Sequence, residues 1–359
     1  MTATRLSAVR DTSAPIQTDG LEFIEFTAAE TQVLEDALIQ LGFVCVADHN
    51  HKNVRLYRQN SINFIVNGEG HSLASDYATA HGPSSNALAF RVPNVTDALQ
   101  SAREMGLEVI ASTAGPMELN IPAVRGVGDA LIYLVDRYGA TSIYDIDFTF
   151  RTGVERMPYG WLQDIDHVTQ NVRCGELVKH TDFYKRTFGF CELQTFNIHG
   201  KHSGLDSVAL ISSCGRIKIP INEPTDPKSQ IAEFLDIHHG GGVQHIALTT
   251  SDIFEAVKAC RANGTVFQST PSTYYHNLHS RHIGHNENVE QLMKHNVLID
   301  GNPDDGILLQ IFTRDMIGPL FFELIQRKGN RGFGEGNFQA LFESIERNQA
   351  ARGVFDEAV

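Results

Sequence analysis

The sequence predicts an α+β protein built from two related domains. Its 359 residues exceed what one hydrophobic core usually organises. The chain also resembles itself, because a set of segments in the first half returns in the same order in the second half. Each half reads as one strand, one helix and several further strands. These observations predict two copies of one mixed unit.

Five pairs of segments carry this repeat. The first copy contains GLEFIEF (20–26), ALIQLGFVCV (37–46), SINFIVNG (61–68), NALAFRVPNVTDALQSAREMGLEVI (86–110) and ALIYLVDR (130–137). The second copy contains DIDHVTQNV (164–172), FYKRTFGFCEL (183–193), RIKIPINE (216–223), VQHIALTTSDIFEAVKACRANGTVF (243–267) and PLFFELIQR (319–327). Alternating polarity and a high content of β-branched and aromatic residues predict the strands.

Apolar spacing and end signals predict a helix in each copy. In TDALQSAREMG the apolar residues recur at helical intervals up to Gly106, a predicted C-cap. In SDIFEAVKACRANG, Ser251 is the predicted N-cap and Gly264 lies near the predicted end.

Charge and composition disfavour several classes of function. The formal net charge of −14 argues against DNA or RNA as a partner, because nucleic-acid binding depends on Lys and Arg that neutralise phosphates. No apolar run approaches the roughly 18 residues of a membrane-spanning helix, and the polar N-terminal segment lacks the core of a secretory signal. We therefore expect a cytoplasmic protein. The five cysteines lack a CxxC spacing and are interpreted as free thiols.

Three residues of the second copy form a candidate metal site. A period of two places His167 and His245 on apolar strand faces, and it places Glu323 in line with Phe321 and Ile325. An ionised carboxylate in an apolar layer needs a cation partner or must take up a proton. Two imidazoles and one carboxylate on three strands match the facial triad of non-haem Fe(II) enzymes, which leaves coordination positions open.

Two other interpretations of these residues stay open at this point. A histidine on an apolar strand face is often a hydrogen-bonded core residue, and a His₂Glu set can also hold zinc, although the HExxH spacing is absent. The repeat favours a metal, because each of the three positions has an inert counterpart in the first copy. The counterparts are Phe23 for His167, Ala87 for His245 and Tyr133 for Glu323. One copy is expected to bind the metal and the other to support it.

A second group of histidines competes with this site. Four of them recur at every third position in YYHNLHSRHIGH: His276, His279, His282 and His285. The segment is polar and interrupted by glycine, which predicts a loop. We expect adventitious metal binding there in preference to a dedicated site.

The C-terminal segment 331–359 is predicted to be a terminal helix that gates the site. GFGEGNF (332–338) lacks the GxGxxG spacing and is interpreted as a hinge. Asn337 is the predicted N-cap of an amphipathic helix after this hinge. Simple packing is the alternative to a lid over the pocket.

Specific motifs are spread over most of the chain, from about residue 20 to residue 353. They are EFIEF, HGPS, GPMELNIPA, DRYGATSIYDIDF, IDHVTQNV, KIPINEP, QIAEFL, GVQHIAL, LLQIFT, FFELIQRKG and GFGEGNFQALFESIE. In these motifs the chain resembles the bacterial 4-hydroxyphenylpyruvate dioxygenases of the vicinal-oxygen-chelate superfamily.

This resemblance implies a fold and a division of the chain. Each domain would be built from paired βαβββ modules, and the C-terminal domain would form an open β-barrel around Fe(II), followed by a C-terminal helix. The expected parts are a variable segment 1–19, a non-catalytic domain 20–150, a catalytic domain 160–330 and the gating helix 331–359. The family's iron ligands fall on the three residues that the repeat selects.

The resemblance also implies a reaction and its binding residues. The substrates would be 4-hydroxyphenylpyruvate and O₂, and the products homogentisate and CO₂, through ring hydroxylation by an Fe(IV)-oxo species and migration of the side chain. The implied catalytic residues are Gln244, Gln310 and Asn222. The implied substrate contacts are Ser207, Asn222, Gln230, Gln244, Gln310, Phe312, Phe333 and Phe338. Gln244 fits less well than the others, because an ideal strand turns it to the face opposite its neighbour His245.

Other functions use the same fold. A 4-hydroxymandelate synthase shares the iron and the substrate but oxidises the benzylic carbon, and Pro220, Asn222 and Phe338 favour the ring-hydroxylating branch. An extradiol ring-cleaving dioxygenase and a metal-free small-molecule binding protein are further alternatives. The resemblance also implies a homo-oligomer with contacts through the N-terminal domain.

Overall fold

The computed structural model describes residues 15–110, 114–115, 117–199, 203–270, 272–276, 278, 286–302, 304–334, 336–337 and 349. Within these residues the chain forms two mixed β-sheets with helices packed against them. The α+β class and the two related halves predicted from the sequence are confirmed. The described residues contain no helix that is both long enough and apolar enough to cross a membrane.

The first sheet belongs to the first half of the chain. Its strands are β1 (Leu21–Thr27), β2 (Val44–His49), β3 (Val54–Gln59), β4 (Ile62–Asn67), β5 (Ser84–Arg91), β6 (Val109–Ile110), β7 (Ala123–Arg125), β8 (Leu131–Val135) and β9 (Phe148–Phe150). They lie in the order β6-β7-β8-β5-β1-β4-β3-β2-β9. The helices of this half are α1 (Gln32–Gln40), α2 (Leu73–His81), α3 (Val95–Glu104) and α4 (Ile143–Asp147).

The second sheet belongs to the second half. Its strands are β10 (Ile165–Asn171), β11 (Cys191–His199), β12 (Gly204–Ile211), β13 (Lys218–Pro224), β14 (Gly242–Thr249), β15 (Leu298–Asn302), β16 (Gly306–Phe312) and β17 (Phe321–Lys328). Their order is β11-β12-β13-β10-β14-β17-β16-β15, so this sheet is open, because its two edge strands do not pair within the described residues. The helices are α5 (Leu177–Phe188), α6 (Gln230–Ile237), α7 (Ile253–Ala262), α8 (Ser272–His276) and α9 (Val289–His295).

Strand register confirms the overlay of the two copies. In the first sheet Phe23 pairs with Ala89, which in turn pairs with Tyr133. In the second sheet the equivalent row runs from His167 through Ala247 to Glu323. Both rows cross one antiparallel and one parallel strand pair, and both first strands carry an irregularity just before the named residue.

Helix ends follow from local capping with small shifts from the sequence predictions. The side chain of Asp252, not the predicted Ser251, accepts hydrogen bonds from the backbone N–H groups of Phe254 and Glu255 and starts α7. Asp252 wins because its backbone is extended and its carboxylate reaches both free N–H groups. Gly106 lies one residue beyond the C-cap Met105 and adopts φ +73°, the left-handed conformation that glycine allows.

One continuous hydrophobic core joins the two halves. The rings of Phe26 and Phe64 lie 6.4 Å and 6.2 Å from the ring of Phe322, and Phe90 lies 5.1 Å from Phe188. All five side chains are fully buried. The second sheet is therefore held by its packing on the first, which explains how a half without metal ligands supports the half that has them.

The backbones of the halves touch at Gly128 and Gly241. Gly128 has φ +60°, and a Cβ atom built there would lie 1.8 Å from the carbonyl oxygen of Gly241. No side chain fits between these two peptide groups.

Replacing Gly128 with alanine is expected to destabilise the protein by about 3 kcal/mol or more, because the two halves must separate locally. The matched control is Gly106→Ala, where φ is +73° but no atom lies within 4 Å of the new Cβ. The control should cost only the backbone strain of about 1–2 kcal/mol. Urea unfolding measures both. Equal losses in the two variants would contradict the contact between the halves.

A stacked histidine pair lies at the same boundary. The ring of His81, at the end of α2, stacks on the ring of the buried His238 with centroids 4.6 Å apart, and His81 Nδ1 donates to the carbonyl oxygen of His238 at 2.8 Å. His238 also stacks on Phe234, with ring centroids 5.1 Å apart, and no described residue pairs with its Nε2 atom. Burial, and secondly the nearby His81, lower the pKa of His238 to about 4.

This shift makes stability depend on pH. Because the folded protein holds His238 neutral and the unfolded chain protonates it near pH 6.5, stability is complete above pH 6.5 and is lost as the pH falls toward 4. The full loss corresponds to about 3 kcal/mol. In urea unfolding, His238→Phe should therefore gain stability relative to the wild type as the pH falls from 7 to 4.5. The exposed neighbour His239, changed to Asn, provides the control and should show no such trend.

Candidate metal centre and its cavity

Three adjacent strands bring the predicted ligands together. His167 lies on β10, His245 on β14 and Glu323 on β17, and their ligand atoms all lie within 4.8 Å of one another. The Nε2 atoms of His167 and His245 lie 3.3 Å and 3.6 Å from Oε2 of Glu323. All three side chains are buried. This geometry can hold one divalent ion on one face of the sheet.

A small residue between the ligands makes the convergence possible. Ala247 pairs with His167 on one side and with Glu323 on the other, and it is fully buried. A larger side chain on this row would stand between the imidazole and the carboxylate.

The orientation of His167 is set by a carboxylate behind it. Its Nδ1 atom donates to Oδ1 of Asp166 at 2.9 Å, which leaves the lone pair of Nε2 directed at the candidate site. Burial opposes the charge on Asp166, but hydrogen bonds from Arg327 and His167 outweigh it and hold the pKa of Asp166 well below its ordinary value. Burial also disfavours a charged His167, yet Glu323 and Asp166 raise its pKa.

His245 is oriented from both sides. Its Nδ1 atom donates to Oε1 of Gln244 at 3.0 Å, and the hydroxyl of Thr169 lies 2.9 Å from its Nε2 atom. Burial, followed by the neighbouring His167, holds the pKa of His245 well below its ordinary value, so this imidazole is neutral as a metal ligand must be. A metal on Nε2 would displace the Thr169 hydroxyl to another acceptor.

The carboxylate of Glu323 has one occupied oxygen and one directed at the histidines. Gln310 Nε2 donates to Oε1 of Glu323 at 2.7 Å. The chain of hydrogen bonds continues from Asn337 Nδ2 to Gln310 Oε1 at 2.7 Å, and from the Tyr274 hydroxyl to Asn337 Oδ1 at 2.9 Å. Among the described residues no Lys or Arg forms an ion pair with Glu323. A buried carboxylate in this setting fits a divalent cation, and the donor set fits Fe(II).

The three ligands open into a cavity of about 390 Å³, counting its mouth. Its remaining lining consists of Thr169, Phe196, Ser207, Pro220, Asn222, Gln310, Phe312 and Phe333. No described residue hydrogen bonds to the buried Oγ of Ser207 or Oδ1 of Asn222. Apolar walls with a few inward polar groups are typical of a site for a small aromatic ligand.

The structure distributes the predicted substrate residues over three places. Ser207, Asn222, Gln310, Phe312 and Phe333 line the cavity. Gln230, the first residue of α6, and Gln244 are buried but do not line it. Gln244 acts on the site through its Oε1 atom, which accepts from Nδ1 of His245 at 3.0 Å and from Nδ2 of Asn222 at 3.5 Å. Phe338 lies outside the described residues.

Three lining residues were not predicted as substrate contacts: Thr169, Phe196 and Pro220. Thr169 shares the face of His167 at a period of two and pairs with His245 across the strands, so alternation alone could have indicated it. Phe196 pairs with Ser207, which pairs with Asn222. That ladder depends on register, which no local sequence signal reveals.

The competing histidine group and the terminal helix are largely beyond the residues that the structure describes. His276 ends the short helix α8, whereas His279, His282 and His285 lie outside the described residues. Of the gating helix, residues 336–337 are helical, and most of the chain after residue 337 is also outside.

Comparison with known proteins identifies the family. A family model for the N-terminal part of hydroxyphenylpyruvate dioxygenase matches residues 12–149. A model of the glyoxalase/bleomycin resistance protein/dioxygenase superfamily matches residues 164–311. The 4-hydroxyphenylpyruvate dioxygenase of Pseudomonas aeruginosa is 51% identical over 95% of this chain and 97% of its own length. The chain belongs to the 4-hydroxyphenylpyruvate dioxygenase family.

Other relatives of the family carry different names. Hemolysin VllY of Vibrio vulnificus is 50% identical over 97% of this chain and 99% of its own length. A solved mutant of 4-hydroxymandelate synthase from Streptomyces coelicolor superposes with a TM-score of 0.81 at 27% identity, covering 93% of this chain and all of that one. The matches confirm the vicinal-oxygen-chelate fold implied by the sequence motifs.

Glu323→Gln tests the metal centre without reference to turnover. Co(II) at about 100 times its Kd should raise the free energy of unfolding of the wild type by about 2.7 kcal/mol. The variant should lose this gain, because a neutral amide is a poor ligand, and its metal-free form should be at least as stable as the wild type. Thermal unfolding with and without Co(II) measures both.

The matched control is Glu25→Gln. Glu25 is a buried carboxylate of the first copy held by Asn86 and Asn67, and it is not part of the candidate centre. The control should keep the full Co(II) gain. A full gain in Glu323→Gln would contradict the assignment of Glu323 as a ligand.

Proposed function

We propose that this protein is a 4-hydroxyphenylpyruvate dioxygenase that converts 4-hydroxyphenylpyruvate and O₂ to homogentisate and CO₂ in tyrosine catabolism. The observation that carries the proposal is the His167–His245–Glu323 group at the base of a cavity with aromatic walls. The high identity to the Pseudomonas aeruginosa enzyme over nearly the whole of both chains supports it.

In this proposal Fe(II) is the cofactor, and the three named side chains hold it. When bound, it would supply the coordination positions at which a 2-oxo acid and O₂ meet, together with the electrons that start the oxidation. One oxygen atom of O₂ would enter the new carboxyl group and the other the ring hydroxyl, so the equation balances without another reductant.

The protein's own residues would bind and orient the substrate. Ser207 Oγ and Asn222 Oδ1, which no described residue hydrogen bonds, would pair with polar groups of the ligand, and the two residues face each other on β12 and β13. Phe196, Phe312 and Phe333 would hold the aromatic ring and keep water from the reacting atoms. A polar group of the ligand needs such hydrogen-bonding partners once it is buried. The cavity would therefore favour a substrate with polar groups at these positions over an analogue that lacks them.

The glutamines would act on the ligands. Gln310 holds one oxygen of Glu323, and Gln244 holds Nδ1 of His245, so both would be positioning residues. Gln230 and Phe338 remain proposed substrate contacts. We also propose a division of roles along the chain. Residues 20–150 form a non-catalytic domain that supports the catalytic one. Residues 160–330 carry the reaction, and residues 331–359 gate the cavity. A cytoplasmic homo-oligomer remains the expectation.

The second candidate is 4-hydroxymandelate synthase. The superposition with the Streptomyces coelicolor protein supports this candidate. The sequence identity to that protein is lower than the identity to the Pseudomonas aeruginosa dioxygenase. Both activities would use the same substrate and differ in the carbon that is oxidised. A metal-free binding protein is the third candidate, and the buried ligand group argues against it.

Product identification decides among these candidates. Anaerobically purified, Fe(II)-loaded protein is mixed with 4-hydroxyphenylpyruvate and ¹⁸O₂, and the products are separated by mass spectrometry. Homogentisate carrying two labelled oxygen atoms is the expected product. Hydroxymandelate would move the protein to the sister activity, and no turnover despite bound iron would contradict the substrate assignment. Glu323→Gln is the inactive control and Glu25→Gln the active one.

A further inference from the structure

The guanidinium group of Arg327 connects two parts of the site that the sequence separates. On one side Nε and Nη2 donate to the two carboxylate oxygens of Asp166 at 2.7 Å and 2.8 Å. On the other side Nη1 donates to the carbonyl oxygens of Asn330 and Gly332 at 3.3 Å and 2.6 Å. One planar group thus satisfies four acceptors.

The first side of Arg327 leads to a candidate metal ligand. Asp166 accepts from Nδ1 of His167 as well as from Arg327, so the same carboxylate fixes the ring and the guanidinium. The side chains of Asp166 and Arg327 are 4% and 17% exposed, so solvent screens this pair little. Lys218 adds a longer contact to Asp166 at 3.4 Å.

The second side of Arg327 leads to the aromatic wall. The segment 330–334 carries Phe333, whose ring lies 5.3 Å from the ring of His167. Gly332 is followed directly by this phenylalanine, and the carbonyl oxygen of Phe333 accepts from Gln310 Nε2 at 3.2 Å. The position of the wall therefore depends on backbone that Arg327 holds.

We propose that Arg327 is a positioning residue that sets the distance between the Phe333 wall and the metal, by holding Asp166 and the 330–332 backbone in one guanidinium group. This inference rests on the proposed metal centre. Arg327 would make no contact with substrate. Its role is to hold Phe333 in register with His167.

The geometry requires arginine and not merely a positive charge. Lysine in place of Arg327 could keep the charge beside Asp166, but one ammonium group cannot reach both carboxylate oxygens and both carbonyl oxygens in a plane. Arg327→Lys should thus leave Asp166 and His167 in place while it releases the 330–332 backbone. Asp166→Asn should act on the metal side, because a neutral amide with one acceptor oxygen replaces the carboxylate that orients His167 and pairs with Arg327.

A matched control exists in the first half of the chain. Arg151 forms the same two-pronged pair with Asp48, from Nε and Nη2 at 2.7 Å each, at the β2–β9 edge of the first sheet, where Asp48 lies on β2 and Arg151 directly follows β9. Arg151→Lys therefore measures the loss of such a pair without any effect on the wall.

Three measurements on the full-length protein separate the two sides. Co(II) affinity and the visible Co(II) spectrum report on the ligands, amide hydrogen exchange of residues 330–334 reports on the segment, and anaerobic titration of the Co(II) protein with 4-hydroxyphenylpyruvate reports on the wall. For Arg327→Lys we expect Co(II) affinity within about threefold of the wild type. Exchange should be faster and the Kd of 4-hydroxyphenylpyruvate about tenfold or more higher, as a misplaced wall implies.

For Asp166→Asn we expect Co(II) affinity to fall by about 10–100-fold with a changed Co(II) spectrum. Exchange in Arg151→Lys should match the wild type, and so should ligand affinity. Unchanged exchange and unchanged ligand affinity in Arg327→Lys would overturn the inference. Failure of the wild type itself to bind Co(II) would instead overturn the proposed metal centre, so the two failures are distinguishable.

Discussion

The candidate metal centre depends on one buried carboxylate group. Glu323 lies on a central strand, almost fully excluded from water, and its free oxygen faces two imidazoles. A carboxylate in this position must be neutralised by a proton or a cation. The residues around Glu323 fit a cation. Ala247 leaves room between the ligands, and Asp166 and Gln244 orient the two histidines. Gln310 donates to the carboxylate oxygen of Glu323 that points away from the histidines.

The first copy also contains a buried carboxylate, that of Glu25, in different surroundings. By the register of the two sheets, Glu25 occupies the position that Thr169 holds in the second copy, and it pairs with Ala87 where Thr169 pairs with His245. Its carboxylate is fully buried, accepts from Asn86 and Asn67, and has a pKa raised chiefly by burial. A buried acid without a cation thus tends to hold its proton, whereas the second copy surrounds its acid with metal ligands.

The sequence predicted the parts of the fold and site that depend on periodicity. Alternation of side chains along each strand placed His167, His245 and Glu323 on one face of the sheet. The residue pairs matched between the two copies agree with the strand register of the two sheets. Phe196 and the contacts of Arg327 could not be predicted, because they join segments whose proximity depends on strand register and on the curl of the sheet. The cap of α7 was misplaced by one residue for a similar reason, since Ser251 and Asp252 are both good N-caps and only backbone geometry separates them.

The proposed reaction requires that one metal ion is held by two histidines and one glutamate. X-ray absorption spectroscopy of the Fe(II)-loaded protein tests this most directly, because imidazole rings give a distinct multiple-scattering pattern. We expect one iron per chain with two imidazoles, the other ligands oxygen and no sulfur, and loss of this pattern in His167→Ala. A shell of three or four imidazoles would instead place the iron in the histidine-rich segment and would contradict a centre formed by His167, His245 and Glu323.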